Sequence, residues 1–114
     1  SLQLLPFYGF CGEDDPIWKN TVAMIRDKSY PLSFAGHAIA EIGCKHAPHP
    51  WILSICNSLL CGHADTALAH LARTRMDNGL ACESVNEDTG ECETGAAFAT
   101  CAGFLAYALW SAAR

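Results

Sequence analysis

The sequence predicts an all-α fold built from helical hairpins, and three observations support this prediction. Apolar residues recur at helical spacing in several segments, helix-capping residues stand at the expected ends, and no segment shows the alternation of a half-buried strand. The chain has 114 residues, of which 51% are hydrophobic. Because a domain of this size buries little of its surface, we expect residues 1–114 to be one partial domain within a larger helical array.

The first helix is predicted to run from Pro16 to about Lys28. Asp15 is a favourable N-cap, and proline suits the first helical position because its missing N–H would have no partner there. The helix is expected to end before Tyr30-Pro31, since a residue before proline avoids the helical region. Residues 31–50 are predicted to be mostly irregular, with at most a short helical turn in residues 34–43.

Two further helices are predicted at about residues 51–60 and 64–76. The second helix has an apolar face that includes Ile52 and Leu59, and the third is expected to end at Asn78-Gly79, a common left-handed helix stop. About three residues separate these helices, which predicts an antiparallel hairpin. A nearly all-apolar last helix is predicted from Gly95 to Ala113. Its many small residues favour packing against other helices over crossing a membrane.

Charge and cysteine content narrow the possible functions and locations. The net charge is −5 and no basic stripe is present, so we do not expect a nucleic-acid partner. The chain has seven cysteines, an odd number, without a Cys-x-x-Cys pair. No basic-then-apolar signal sequence is visible at the amino terminus. Reduced thiols and a cytoplasmic location are therefore favoured over secretion.

Cysteine and histidine lie near one another in the middle of the chain. The relevant residues are Cys44, His46, His49, Cys61 and His63. Because their spacing matches no strong zinc signature, we expect neither a metal site nor a cofactor. A non-catalytic helical interaction module, with or without zinc, remains an alternative.

Residues 78–88 place one carboxylate, Glu83, in a non-helical passage between two helical segments. Glycosidases use two carboxylates on either side of the scissile bond, and in inverting enzymes one of them activates a water. Ser84 and Asn86 flank Glu83 and are candidates for hydrogen bonds to sugar hydroxyls. On another loop, Trp51 offers a flat face for a pyranose ring and His46 can hydrogen-bond a hydroxyl. The alternative is that Glu83 is a solvated loop acid and Trp51 anchors a core. The acids that follow Glu83 are interpreted as members of a solvated loop: Glu87, Asp88, Glu91 and Glu93.

Three blocks of the chain resemble a known enzyme family. They are Leu5-Pro-Phe-Tyr-Gly-Phe10 with Asp14-Asp15-Pro-Ile-Trp18, then Ile42-Gly43-Cys44-Lys45-His46-Ala47-Pro48 with Trp51, and then Asn78 to Asn86 followed by Thr94-Gly95. In this order they resemble the carboxyl-terminal part of glycoside hydrolase family 125, the metal-independent exo-acting α-1,6-mannosidases. The chain departs from the family pattern at five positions, where it has Cys44-Lys45, Cys82, Val85 and Gly95 in place of Ser-Pro, His, Phe and Arg.

The resemblance implies a fold, a reaction and a division of labour. The fold would be part of an (α/α)6 toroid, and the reaction would be inverting hydrolysis of terminal mannose from an oligosaccharide, without a metal. Glu83 would be the general base, and His46, Trp51, Ser84 and Asn86 would position the sugar. The Asp that would serve as general acid lies in an amino-terminal part outside this sequence, so the chain alone is expected to be inactive. Another toroid hydrolase, trehalase-like or glucoamylase-like, is a further alternative.

Overall fold

A computed structural model describes residues 1–76 and 79–114. These residues form α1 (Pro16–Ile25), β1 (Ser33–Ala35), β2 (Ala40–Ile42), α2 (Ile52–Leu60), α3 (Ala64–Leu71), β3 (Ser84–Val85), β4 (Cys92–Thr94) and α4 (Ala99–Ala112). The predicted all-α class is therefore wrong, because the fold mixes helices with two small antiparallel sheets. The toroid prediction is wrong for the same reason: two of its expected irregular connections are β-hairpins. α3 ends at Leu71, earlier than the predicted end at about residue 76. Of the predicted stop at Asn78-Gly79, Asn78 lies outside the described residues.

The strands escaped prediction because each has only two or three residues, too few to show alternation. β1 pairs with β2 from Ser33↔Ile42 to Ala35↔Ala40, where a short helical turn was expected. β3 pairs with β4 with a register shift between Ser84 and Val85. The acidic segment that was expected to be a solvated loop therefore makes one strand and the turn of this second hairpin.

The capping prediction for the first helix is confirmed. One carboxylate oxygen of Asp15 accepts hydrogen bonds from the backbone N–H groups of Ile17 and Trp18, at 2.8 and 3.0 Å. The helix ends at Ile25, earlier than predicted. It lies over a short 3₁₀ helix, Leu2–Leu4, to which the Trp18 indole N–H donates a 3.3 Å hydrogen bond at the carbonyl of Gln3.

The core is centred on α2, which packs against both α3 and α4. The buried apolar residues of these helices are Ile52, Ile55, Cys56, Leu59, Ala67, Cys101, Leu105 and Ala108. The apolar face predicted for α2 is thus confirmed. α4 begins at Ala99 and not at Gly95, and it leaves Tyr107 and Trp110 largely exposed, so it is less buried than expected. Among the described residues, no helix is long and apolar enough to cross a bilayer.

The segment 50–52, which is extended at Trp51 and enters α2 at Ile52, joins the two hairpins. Its Trp51 N–H donates to the carbonyl of Ile42 on β2 at 3.1 Å. On its other side the N–H of Val85 donates to the carbonyl of Pro50, at 2.9 Å. The N–H of Ile52 donates to the carbonyl of Glu83, at 3.0 Å. The last bond satisfies one of the unpaired N–H groups at the start of α2. The segment therefore fixes β2, β3 and α2 relative to one another.

A buried carboxylate, Glu41 on β2, faces the helical side of this arrangement. Its Oε2 accepts a 2.7 Å hydrogen bond from the hydroxyl of Ser58, which is also 2.9 Å from a guanidinium nitrogen of Arg26. Burial raises the pKa of the Glu41 carboxyl, while the Ser58 hydrogen bond and the Arg26 charge act in the opposite direction. Glu41 is therefore held by a polar chain inside the fold and is a structural acid.

We predict that Glu41→Gln removes a pH dependence of stability. The pKa of Glu41 in the folded protein lies above its ordinary value of 4.5, so the folded state binds more protons than the unfolded state. Its contribution is therefore fully present below pH 4.5 and is lost as pH rises through the folded pKa. Urea unfolding over a pH series measures this. The free energy of unfolding of the wild type should decline relative to that of Glu41→Gln as pH rises.

The exposed Glu13 provides a matched control for this substitution. Glu13→Gln should keep the pH dependence of the wild type. Parallel curves for the wild type and Glu41→Gln would contradict the assignment.

Candidate functional site

Glu83 lies at the junction of the β3–β4 hairpin, the segment 50–52 and the turn that leads to α4. Its backbone N–H is shared between the carbonyls of Thr94 and Gly95, at 3.1 and 3.0 Å, and its carbonyl accepts from Ile52. Three connections therefore hold the main chain on which the carboxylate stands. Glu83 is only partly buried, so solvent can reach its side chain although its main chain is held by hydrogen bonds.

Two hydroxyls lie beside the Glu83 carboxylate. The hydroxyl of Thr94 donates to Glu83 Oε1 at 2.9 Å, and the hydroxyl of Ser84 is 2.6 Å from that of Thr94. Ser84 was predicted to bind sugar directly, but its side chain is fully buried in this structure. It reaches Glu83 through Thr94, a residue to which the sequence assigned no role in the site. Thr94 is opposite Ser84 in the hairpin register, a pairing that could not be predicted once the hairpin itself was missed.

His46 and Trp51 lie on the loop that precedes α2, and backbone pairing brings this loop to the Glu83 segment. Trp51 makes a β-bridge with Ser84, the residue after Glu83. The rings of His46 and Trp51 meet edge to face, with centroids 5.3 Å apart. The Trp51 indole N–H donates to the carbonyl of Ala47 at 3.0 Å. The N–H is therefore not free for a ligand, and only the ring itself could make a further contact.

The exposed His46 keeps one ring nitrogen available. Its Nδ1 is 3.2 Å from the thiol sulfur of Cys44, which leaves Nε2 to donate to or accept from another group. The structure thus brings His46, Trp51 and Glu83 onto adjoining segments.

The Asn86 side chain makes hydrogen bonds within the β3–β4 hairpin. Its side-chain oxygen accepts from the backbone N–H groups of Asp88 and Thr89, at 2.9 and 3.0 Å. Its side-chain nitrogen donates to Glu93 at 2.7 Å. This is the side-chain-to-backbone pattern that initiates a turn. Asn86 shapes the β3–β4 hairpin, and the second N–H of its amide is what remains for a sugar hydroxyl.

The other acids of this hairpin differ from one another. Glu87 and His49 form a half-buried pair, with Oε2 and Nδ1 2.8 Å apart, which connects the hairpin to the loop before α2. Asp88 accepts hydrogen bonds from the backbone and ring of His37, and these lower the pKa of its exposed carboxyl. Glu91 faces Arg75 in an exposed pair at 3.5 Å. Glu87 is therefore a positioned group, whereas the sequence indicated a solvated one.

The buried thiols are poor candidates for nucleophiles. Burial raises the pKa of Cys82 to about 12, and a hydrogen bond that the Cys82 thiol donates to Cys92 acts in the same direction. Burial also raises the pKa of Cys56 to about 12 and that of Cys101 to about 11. A thiol reacts as its thiolate, which is scarce at neutral pH for such values.

No convergent set of metal ligands is found in residues 1–76 and 79–114. His49, one of the residues considered for zinc, is oriented towards Glu87. Cys61 lies 3.7 Å from the side-chain oxygen of Gln3. The described side chains thus give no support to the zinc-module alternative.

Comparison with known protein families identifies the chain. The profile of the metal-independent alpha-mannosidases, GH125, matches residues 1–110. The chain belongs to this family. No match was found among curated proteins. Membership of GH125 supports a glycoside hydrolase with a carbohydrate substrate, and the family match covers the His46 loop, the Glu83 segment and most of α4.

Gly95 is the departure from the GH125 pattern that the site geometry explains best. Its φ of +57° lies in the left-handed region, where a side chain is unfavourable. A Cβ at this position would also lie 2.9 Å from the Cβ of Glu83. The Glu83 main chain therefore packs directly on Gly95, in space that a side chain would occupy.

We predict that Gly95→Ala lowers the free energy of unfolding by about 1–3 kcal/mol, because alanine is strained at positive φ and crowds Glu83. Urea unfolding measures this change. Gly103→Ala is the matched control, since Gly103 lies within α4 and its Cβ would meet nothing within 4 Å. The control should be stabilised by up to about 1 kcal/mol. Equal effects of the two substitutions would contradict the close approach of Gly95 and Glu83.

Proposed function

We propose that this chain carries the general base of an inverting, exo-acting α-mannosidase, and that the base is Glu83. The observation that supports this most strongly is the setting of the Glu83 carboxylate. One of its oxygens is anchored by Thr94 and its main chain is tied at three points. No described residue donates to the second oxygen, Oε2. A water held by Oε2 would have one fixed acceptor for its proton.

The reaction is a single displacement at the anomeric carbon of the terminal mannose. Glu83 takes one proton from the attacking water, the new C–O bond forms on the face opposite the leaving oxygen, and the glycosidic C–O bond breaks. A second carboxyl group gives its proton to the leaving oxygen. We propose that this general acid belongs to a segment outside the present sequence, so that residues 1–114 are one part of the catalytic domain. The proposed reaction needs no metal or cofactor.

The sugar-binding roles follow from what each side chain has left to offer. Trp51 has a ring face for the apolar side of a pyranose, and His46 has Nε2 for a hydroxyl. Asn86 has one amide N–H. Ser84 acts on Glu83 through Thr94 and has no exposed atom to offer a sugar. Family membership favours mannose as the sugar over the trehalase-like and glucoamylase-like alternatives.

We predict that Glu83→Gln lowers kcat/KM for an aryl α-mannoside by roughly a hundred- to ten-thousandfold in the full-length protein, the range typical of a general base. The amide keeps the size of the side chain and can still accept from Thr94, but it cannot take the proton of water. Steady-state kinetics measures the loss, and circular dichroism checks the fold.

Glu91→Gln is the control for this substitution, because Glu91 lies in the same hairpin and makes only an exposed ion pair. It should retain wild-type kinetics. Undiminished hydrolysis by Glu83→Gln would exclude Glu83 as the base.

A further inference from the structure

Thr94, the last residue of β4, is the only described residue whose side chain hydrogen-bonds the Glu83 carboxylate. Its carbonyl accepts from the backbone N–H of Glu83 as well, at 3.1 Å. One residue thus contacts both the main chain and the carboxylate of the proposed base. Because the backbone N–H and the carboxylate of Glu83 are both held by Thr94, few conformations of the Glu83 side chain remain possible.

Proton counting sets the direction of the hydrogen-bond chain. A hydroxyl has one proton to donate, and an ionised carboxylate can only accept. The Thr94 proton is therefore directed at Glu83 Oε1, over 2.9 Å. The contact of 2.6 Å between the two hydroxyls must then be a donation from Ser84 to Thr94. Because Ser84 is fully buried, no solvent competes for its proton.

The hydrogen-bond chain from Ser84 through Thr94 ends at one carboxylate oxygen of Glu83, Oε1. Oε1 is occupied by Thr94, and Oε2 keeps its acceptor sites for a water. At 2.9 Å the bond to Glu83 is longer than the 2.6 Å contact between the two hydroxyls, but its acceptor is charged, which strengthens it and restrains the rotation of the carboxylate. A base fixed in this way meets its water without first losing rotational freedom.

We propose that Thr94 is a positioning residue for the reaction, which holds Glu83 with Oε2 directed at the attacking water, and that Ser84 orients the Thr94 hydroxyl. This inference rests on the proposed role of Glu83 as the base. It assigns Thr94 a function in the chemical step and moves Ser84 from sugar binding to the support of the base.

The test compares Thr94→Val with Thr94→Ser in the full-length protein, using an aryl α-mannoside. Valine keeps the shape of threonine without its hydroxyl, and serine keeps the hydroxyl. Thr94→Val should lower kcat by about ten- to hundredfold, because a misplacement of about 1 Å can cost that much. KM should hardly change, since the Thr94 hydroxyl is already hydrogen-bonded to Glu83 and Ser84. Thr94→Ser should recover most of kcat, and Ser84→Ala should lower kcat less than Thr94→Val does.

Thr74→Val is the matched control. The hydroxyl of Thr74 donates to the carbonyl of Leu71 at 2.7 Å, outside the site. Its loss should leave kcat unchanged at a comparable cost in stability. If Thr94→Val does not fold, the comparison of Thr94→Ala with Thr94→Ser replaces it.

The outcomes separate this inference from the proposed function. Loss of activity in Glu83→Gln together with wild-type kcat in folded Thr94→Val would overturn the role of Thr94 alone. A Thr94→Ser protein as slow as Thr94→Val would overturn it too, because the hydroxyl would then not be what matters. Undiminished hydrolysis by Glu83→Gln would overturn both proposals.

Discussion

The backbone pairing of residues 50–52 with strands on both sides is the constraint on which the rest of the structure depends. These residues join the β1–β2 hairpin to the β3–β4 hairpin and begin α2, the helix at the centre of the core. Through them the loop that bears His46 is fixed against the strand that follows Glu83. Without this pairing the aromatic pair and the carboxylate would belong to separate loops. With it, the segments that carry them lie side by side next to the buried helix α2.

The sequence predicted the features that depend on local chemistry. Asp15 and Pro16 are a local signal for a helix start, and the structure confirms the cap. The apolar face of α2 could also be predicted, because helical spacing of apolar residues is visible within one segment. The non-helical passage around Glu83 and its family resemblance both came from residues close together in the chain. Family membership is now shown over residues 1–110.

What the sequence could not predict depends on pairing between segments, which leaves no periodic pattern within either one. Strands of two or three residues are stabilised by the segments with which they pair, and neither hairpin has enough length to show alternation. The same limitation hid Thr94, whose importance arises from its position opposite Ser84. It also hid the turn-forming role of Asn86 and the pairing of Glu87 with His49. For Thr94, Asn86 and Glu87, the error was to treat the acidic segment as a loop.

The proposed mechanism depends on one carboxylate, Glu83, whose Oε2 is free to hold a water, and the stereochemistry of the reaction tests it most directly. Proton NMR of the full-length protein acting on an aryl α-mannoside, recorded before mutarotation, identifies the anomer released first. A base that activates water on the face opposite the leaving group predicts β-mannose as the first product. Release of α-mannose first would indicate a double displacement, with a carboxylate acting as nucleophile, and would contradict the role assigned to Glu83.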